Sequence, residues 1–211
     1  MKKACVLALC LLAQVVWATD LITLFNGENL SGWIARDRSP ARWNVENGYM
    51  EVVPGNGDIQ TERLFNDFDL HVEFWIPLMP DKRGQDRGNS GVYLLGRYEI
   101  QILDSHNNPT YEDGVCGALY KTIAPLMNAC LPPENWQTYD IHFVNPQIDD
   151  TGKILPGDLT VELNGVTVID HYPISRPTGS AGKEKQGVPG PIRLQDHGAK
   201  VRFRNIWIVP R

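Results

Sequence analysis

From Thr19 onward, apolar residues recur at every second position in short runs, and the 3.6-residue period of an amphipathic helix is almost absent. Gly, Pro, Asn and Asp separate the runs, as expected of strands joined by tight turns. Trp43 to Val53 reads as a hairpin around Asn47-Gly48, and Asn164-Gly165 marks another. In Asp69 to Ile76, Leu70, Val72, Phe74 and Ile76 face one way, and His71, Glu73 and Trp75 the other. Ser90 to Leu95 and Tyr98 to Leu103 form two strands joined at Gly96-Arg97. Trp136 to Val144, Leu159 to Leu163, Val166 to Asp170, Ile192 to Gln195 and Val201 to Val209 complete the set. Near Asn205 the apolar phase slips from odd to even positions, which predicts a bulge. Ten or more strands with so little helix imply an all-β fold, two packed antiparallel sheets of the jelly-roll kind. No internal repeat or second domain is visible, so residues 19–211 read as a single β-sandwich domain. Two stretches, Asp81 to Gly88 and Pro173 to Pro191, read as loops, the second as either a site edge or a mobile connection.

The first eighteen residues follow another pattern. Lys2 and Lys3 precede an apolar run from Ala4 to Val15, and Val16-Trp17-Ala18 offers a cleavage site. The run is short for a bilayer span and suits a signal peptide covering residues 1–18. Leu9 before Cys10 argues against lipidation. The 211-residue chain carries 20 basic and 25 acidic residues, net −5. Removing the leader leaves eighteen basic residues against the same acids, net −7. No basic excess exists to neutralise phosphates, so nucleic acid is excluded as a partner. No second long apolar run follows, so no membrane association is expected after the leader is removed. Cys116 and Cys130 then remain as an even pair in an exported chain, which predicts a disulfide.

The face composition of the strands carries the functional signal. Glu99 and Gln101 share the face opposite Tyr98, Ile100 and Ile102, about 7 Å apart and within reach of one ligand. Asn89 and Ser90 open a strand, and Gln195, Asp196 and His197 follow the end of another. Gathered on one face with Trp75, Tyr93 or Tyr120, these residues make a polar bowl suited to a sugar. A sugar offers hydroxyls to hydrogen-bond and C–H faces to stack upon. A water-facing sheet is polar too, but Gln and Asn are poor strand formers for that purpose. His71 alternates outward beside Glu73 and fits site or surface equally; His106, His142 and His171 read as structural or solvated. No Cys/His cluster suggests structural zinc, and no G-x-S-x-G, P-loop or dinucleotide fingerprint appears.

Leu24-Phe25-Asn26-Gly27 with Leu30-Ser31-Gly32-Trp33 resembles the opening motif of the 3-keto-disaccharide hydrolase domain family, also described as 3-keto-glucoside 1,2-lyase/3-keto-2-hydroxyglucal hydratase domains. The likeness continues through Trp43 to Gly48, Asp67-Phe68-Asp69-Leu70 with Glu73, Asn89-Ser90-Gly91 and Tyr98-Glu99-Ile100-Gln101-Ile102. It runs on through Gly117 with Tyr120, Asn135-Trp136, Asn164-Gly165, Gly190-Pro191-Ile192 and Leu194-Gln195-Asp196-His197-Gly198. The resemblance implies a concanavalin A-like lectin/glucanase sandwich, export to the bacterial periplasm or beyond, and a small-molecule sugar or glycoside as substrate. It further implies cleavage of 3-keto-glycosides by C2-proton abstraction and 1,2-elimination, with hydration as a following step.

That chemistry requires a base, an enolate stabiliser and an acid for the leaving group. His197 is the first candidate base, because imidazole titrates near neutrality, and Glu99 or Glu73 the second. Lys121, Arg97 and Asn89 are candidates to steady the oxyanion. Gln101, Gln195 and Asp196 would hold hydroxyls or orient the base. No cofactor is required by the sequence; a divalent metal polarising the ketone would use oxygens of Glu99, Gln101 or Asp196. Two other readings compete. One is a non-catalytic carbohydrate-binding module. The other is a retaining glycosidase of laminarinase type, for which Glu99 to Asp104 would supply the two carboxyls about 5–5.5 Å apart. In that run Gln101 replaces the middle acid. Oligomeric state, aglycone and anomer have no readable signature.

Overall fold

The computed structural model of the protein describes residues 21–179 and 185–211. The signal-peptide reading of residues 1–18 lies outside them, as does part of the Pro173 to Pro191 loop. Fifteen strands lie among the described residues, beginning with β1 (Ile22–Thr23), β2 (Trp33–Ala35), β3 (Asn44–Glu46), β4 (Tyr49–Glu51) and β5 (Ile59–Thr61). Next come β6 (Phe68–Trp75), β7 (Ser90–Leu94), β8 (Tyr98–Ile102), β9 (Trp136–Val144) and β10 (Gln147–Ile148). The last five are β11 (Ile154–Leu155), β12 (Gly157–Leu163), β13 (Val166–Ile174), β14 (Arg193–Leu194) and β15 (Arg202–Pro210). Two 3₁₀ turns, Gly84–Asp86 and Glu112–Gly114, are the helical elements that lie wholly within the described residues.

An eight-stranded antiparallel sheet has the order β13-β12-β9-β6-β15-β4-β3, with β1 added beside β15. A five-stranded sheet runs β2-β5-β14-β7-β8, and β10 with β11 makes a small ribbon. The strict alternation of β6 places Phe68, Leu70, Val72 and Phe74 in the core, and β9 does the same with Tyr139, Ile141 and Phe143. Val92, Leu94, Tyr98, Ile100 and Ile102 answer them from the smaller sheet. Tyr98 and Phe143 meet across the sandwich at 5.5 Å between ring centroids, and the Tyr139 hydroxyl donates to the Gln101 carbonyl. Each such buried apolar side chain contributes about 1.5–3 kcal/mol, so this layer holds the two sheets in register.

The turn chemistry matches the sequence pattern. Asn47 and Gly48 have φ of 48° and 79°, and Asn164 and Gly165 have 55° and 75°, the left-handed pairs that a two-residue hairpin needs. The bulge near Asn205 is present: the register of β15 on β6 shifts between Arg204 and Trp207, and Asn205 has φ 45°. A second irregularity has no counterpart in the hydrophobic pattern. β13 extends beyond Asp170 to Ile174, with register shifts against β12. His171 sits within it at φ 44°, its backbone N–H donating to Thr160 Oγ1.

The opening motif serves the scaffold. Asn26 Oδ1 accepts from the backbone of Glu28 and Asn29, and the Trp33 indole donates back to the Leu24 carbonyl at 2.7 Å.

Candidate active site

The outer face of the smaller sheet carries a polar row set by strand register. Arg193 on β14 pairs with Tyr93 on β7, and Tyr93 pairs with Glu99 on β8. Direct cross-strand partners share a face, so these three side chains lie side by side. One step along, Gly91 pairs with Gln101. Beyond β8 the segment around Leu119 continues the sheet, since Tyr120 N donates to the Glu99 carbonyl and Gln101 N to the Ala118 carbonyl. Tyr120, Gly179 and His197 close over the row, and its members are buried: Glu99 is 3% exposed and Gln101 1%.

The cleft holds about 210 Å³ and is lined by Asn89, Tyr93, Glu99, Gln101, Tyr120, Gly179, Gln195 and His197. Gln195 is placed by its backbone N–H on the Gly91 carbonyl and by Ser90 Oγ on its own carbonyl. Thr178 brings Gly179 to the rim, because Thr178 Oγ1 accepts from Glu99 N at 2.9 Å and Thr178 N donates to the Arg97 carbonyl.

Glu99 is the only carboxylate among the described residues lining the cleft. Its side chain lies across Gly91 so closely that a Cβ there would sit 2.6 Å from Oε1. Burial pushes the Glu99 pKa up to about 7, even though a hydrogen bond from Tyr93 and the charge of Arg193 pull the other way. The Tyr93 hydroxyl accepts from Gln195 Nε2 at 3.1 Å and donates to Glu99. The Arg193 guanidinium lies 3.9 Å above the Tyr93 ring, with Nε 3.7 Å from Asp58.

Gln101 Nε2 donates toward Asn89 Oδ1 and Gln85 Oε1, both at 3.3 Å. Asn89 Nδ2 is held by the Gln85 carbonyl at 2.7 Å. The carbonyl oxygens Gln101 Oε1 and Gln195 Oε1 are buried without a hydrogen-bond partner among the described residues. Open buried acceptors are costly unless a ligand or water completes them, so the cleft is built to receive hydroxyl donors.

The structure brings together Asn89, Tyr93, Glu99, Gln101, Tyr120, Gln195 and His197 of the bowl expected from the sequence. Other expected members lie elsewhere. Glu73, His71 and Trp75 stand on the outer face of the larger sheet, because alternation tells which side of a strand a residue occupies and not which sheet the strand joins. Arg97 is buried, and its guanidinium donates to the Lys185 and Val188 carbonyls, anchoring the described end of the long loop. Asp196 is consumed by the backbone: Oδ2 accepts from Gly55 and Gly57 and Oδ1 from Gly198. It leaves the oxygen set considered for a metal. Lys121 lines the neighbouring cavity instead, with its Nζ over the Tyr111 ring. Asp104 is buried against Arg87, with Nε 2.9 Å from Oδ2, and does not line the cleft, so a second carboxyl of the laminarinase kind is not placed beside Glu99.

Cys116 and Cys130 are free thiols, not the expected disulfide. They hydrogen-bond each other in the core. Burial raises the Cys116 thiol, while the Cys116 hydrogen bond lowers Cys130. Cys116 also meets the Tyr139 hydroxyl at 3.2 Å. Arg193 escaped the sequence reading. Its signal was a lone charge in an apolar strand, Ile192-Arg193-Leu194, where one face must be polar.

Among curated proteins, a "3-keto-disaccharide hydrolase" of Bacteroides thetaiotaomicron is 25% identical over 90% of this chain and 78% of its own length. A provisionally assigned glycosyl hydrolase from Parabacteroides distasonis has a solved structure with TM-score 0.85. It is 40% identical, covering 92% of this chain and 84% of that one. A further structure from the same organism, also provisionally assigned as a glycosyl hydrolase, shares the fold at TM-score 0.70 and 21% identity, over 90% of this chain and 94% of that one. The model of the 3-keto-alpha-glucoside-1,2-lyase-like domain matches residues 20–209, and the chain belongs to that family.

Proposed function

We propose that this protein is an exported enzyme that cleaves 3-keto-glucosides, with Glu99 as the base. The observation that carries the reading is a single buried carboxylate, with its pKa raised to about 7, in a cleft the size of one sugar ring that is also lined by Gln101 and Gln195, whose amide oxygens are unpartnered among the described residues. Family membership supports the substrate class.

The ketone at C3 acidifies the C2 proton. Glu99 takes that proton, the C2–H electrons pass into the enolate, and the enolate expels the C1 oxygen. The leaving oxygen gains a proton and departs as an alcohol, and C1 and C2 are left joined by a double bond. Water then adds, hydroxide to C1 and a proton to C2, and the sum is hydrolysis. His197, exposed at the mouth, is placed to protonate the departing oxygen. Gln101 and Gln195 accept from sugar hydroxyls, and Tyr120 offers a ring to stack upon. Asn89, on the cleft floor, remains as the candidate to steady the enolate. A desolvated base near neutrality has both the proton affinity and the ionised population that such a step demands.

The test is release from a chromogenic 3-keto-glucoside beside its unoxidised parent, each with and without chelator. Release from the keto compound alone, with solvent deuterium entering C2, is the expected result. Release from the parent would overturn the mechanism. Release from neither, with retained sugar binding, would identify a binding module.

A further inference from the structure

The cleft that holds Glu99 has room for one ring, since 210 Å³ lies below the roughly 300–1,000 Å³ of sites that enclose larger ligands. A glycoside brings a second moiety. Next to the cleft lies a larger cavity of about 430 Å³, lined by Lys121, Thr122, Tyr172, Ser175 and Arg176 among others. Gly179 walls both spaces, and Tyr120 of the cleft is followed directly by Lys121 and Thr122 of the cavity. The two are therefore adjoining compartments with a glycine at their border.

Their chemistries differ. The cleft is lined by one carboxylate and neutral amides. The cavity's lining residues include two cations, Lys121 and Arg176, together with the hydroxyl-bearing Thr122, Ser175 and Tyr172, and no described lining residue is acidic. This occurs on a chain of net charge −5. Lys121 is also held in place. Its Nζ lies 3.2 Å from the centre of the Tyr111 ring, its N–H donates to the Asp113 carbonyl, and Tyr111 is tied to Tyr120 by a 2.9 Å hydroxyl contact. Its backbone adopts φ 57°, a left-handed conformation that a lysine occupies only under constraint from its surroundings.

We infer that this cavity is the leaving-group subsite and that it selects leaving groups bearing an oxyanion, a carboxylate above all. The inference rests on the proposed function for the direction of cleavage. Lys121 supplies a fixed point charge, Arg176 a planar fork matched to a carboxylate, and the hydroxyls receive the remaining polar groups of the aglycone.

Two measurements test it on the full chain. The first is calorimetric binding of two unoxidised disaccharides that differ only at C6 of the leaving ring, one a uronate and one a neutral alcohol. The uronate should bind at least tenfold tighter at low salt, and the preference should shrink in 0.5 M salt. Lys121→Gln with Arg176→Gln should abolish the preference. The second is kcat/KM on the matching pair of 3-keto substrates, where the double variant should lose at least tenfold more on the anionic member than on the neutral one. Equal binding of the two sugars by the wild type, or equal losses in the double variant, would overturn the inference. A C6 sulfate or phosphate binding more tightly than the uronate would overturn the carboxylate preference. A uronate preference without turnover of either keto substrate would leave the subsite standing and remove the proposed reaction.

Discussion

Both sheets turn a polar face outward, and the two faces are wired differently. On the larger sheet Glu51, Asp69, Glu73, Asp140 and Asp158 each have a basic partner at hand. Glu73 accepts from Arg204 at 2.6 Å and Asn205 at 2.8 Å, His71 meets Asp140 at 2.6 Å, and His142 meets Asp69 at 2.7 Å. Arg202 is bonded to Glu51 and stacks 4.3 Å from the Trp75 ring, and Trp207 lies parallel to His71. On the smaller sheet Glu99 has Tyr93 as its donor and Arg193 acting through space, and two buried amide oxygens have no partner among the described residues. Glu73, despite a desolvation cost, is held below its ordinary pKa by Arg204 and Asn205, whereas desolvation carries Glu99 up. Polarity that is internally paired supports a scaffold. Polarity left incomplete inside a buried cleft is completed by a ligand or by water.

The sharpest way to break this contrast is to neutralise one carboxylate on each face. Glu99→Gln should lower kcat on a 3-keto-glucoside by about 10²–10⁴-fold, the range for loss of a positioned base. Glu73→Gln should stay within about twofold. In the wild type kcat/KM should rise with pH through about 7, as Glu99 loses its proton, and Glu99→Gln should lack that limb. Equal losses in the two variants would erase the distinction between the faces.

Next in size is the backbone beneath the base. Gly91→Ala would place a methyl 2.6 Å from Glu99 Oε1, so the carboxylate must move. Turnover should fall by at least tenfold, while melting temperature changes little. Normal turnover in that variant would show that the Glu99 position seen here is not the working one.

Stability should move in opposite directions on the two faces. A carboxylate whose pKa is raised on folding binds its proton more tightly in the native state, so Glu99 costs stability as pH rises from its unfolded value near 4.5 to about 7. Glu99→Gln should therefore stabilise the protein at pH 8 by on the order of 2–3 kcal/mol, with the gain vanishing near pH 4. Denaturant unfolding at both pH values measures it, and no gain at pH 8 would contradict the buried, desolvated state of Glu99.

The smallest effect belongs to the paired face. Glu73 has a lowered pKa, so its stabilisation is present above the ordinary carboxylate range and is lost as pH falls through its folded value. Glu73→Gln should cost about 1 kcal/mol or less at pH 7, because Arg204 is substantially exposed. That cost should disappear in acid. A larger, pH-independent loss would point to packing instead of pairing.

Period-two patterning, turn dipeptides and a phase slip are local quantities, and they carried most of the fold. The strands from Phe68 to Ile102, the Asn-Gly hairpins and the bulge at Asn205 follow from which residues can sit on a pleated surface and which tolerate positive φ. The same alternation assigned His71, Glu73 and Trp75 outward correctly and still placed them with the wrong partners, since sheet membership depends on long-range pairing. Asp196 and Arg97 looked like ligand residues because their types fit. Their actual partners, the amides of Gly55 and Gly57 and the carbonyls of Lys185 and Val188, are remote or irregular backbone that no spacing announces.

The sequence by itself determined a two-sheet β-sandwich, the strand face on which Glu99 and Gln101 lie, and the family resemblance that the family match confirms. Only the tertiary structure decided that this face is roofed by the segment around Tyr120 and the Thr178-Gly179 rim. The physical reason is desolvation. A glutamate on a wet strand titrates as an ordinary carboxylate, and the same glutamate under a roof of distant chain is pushed up to about 7 by burial, against the opposing pull of Tyr93 and Arg193.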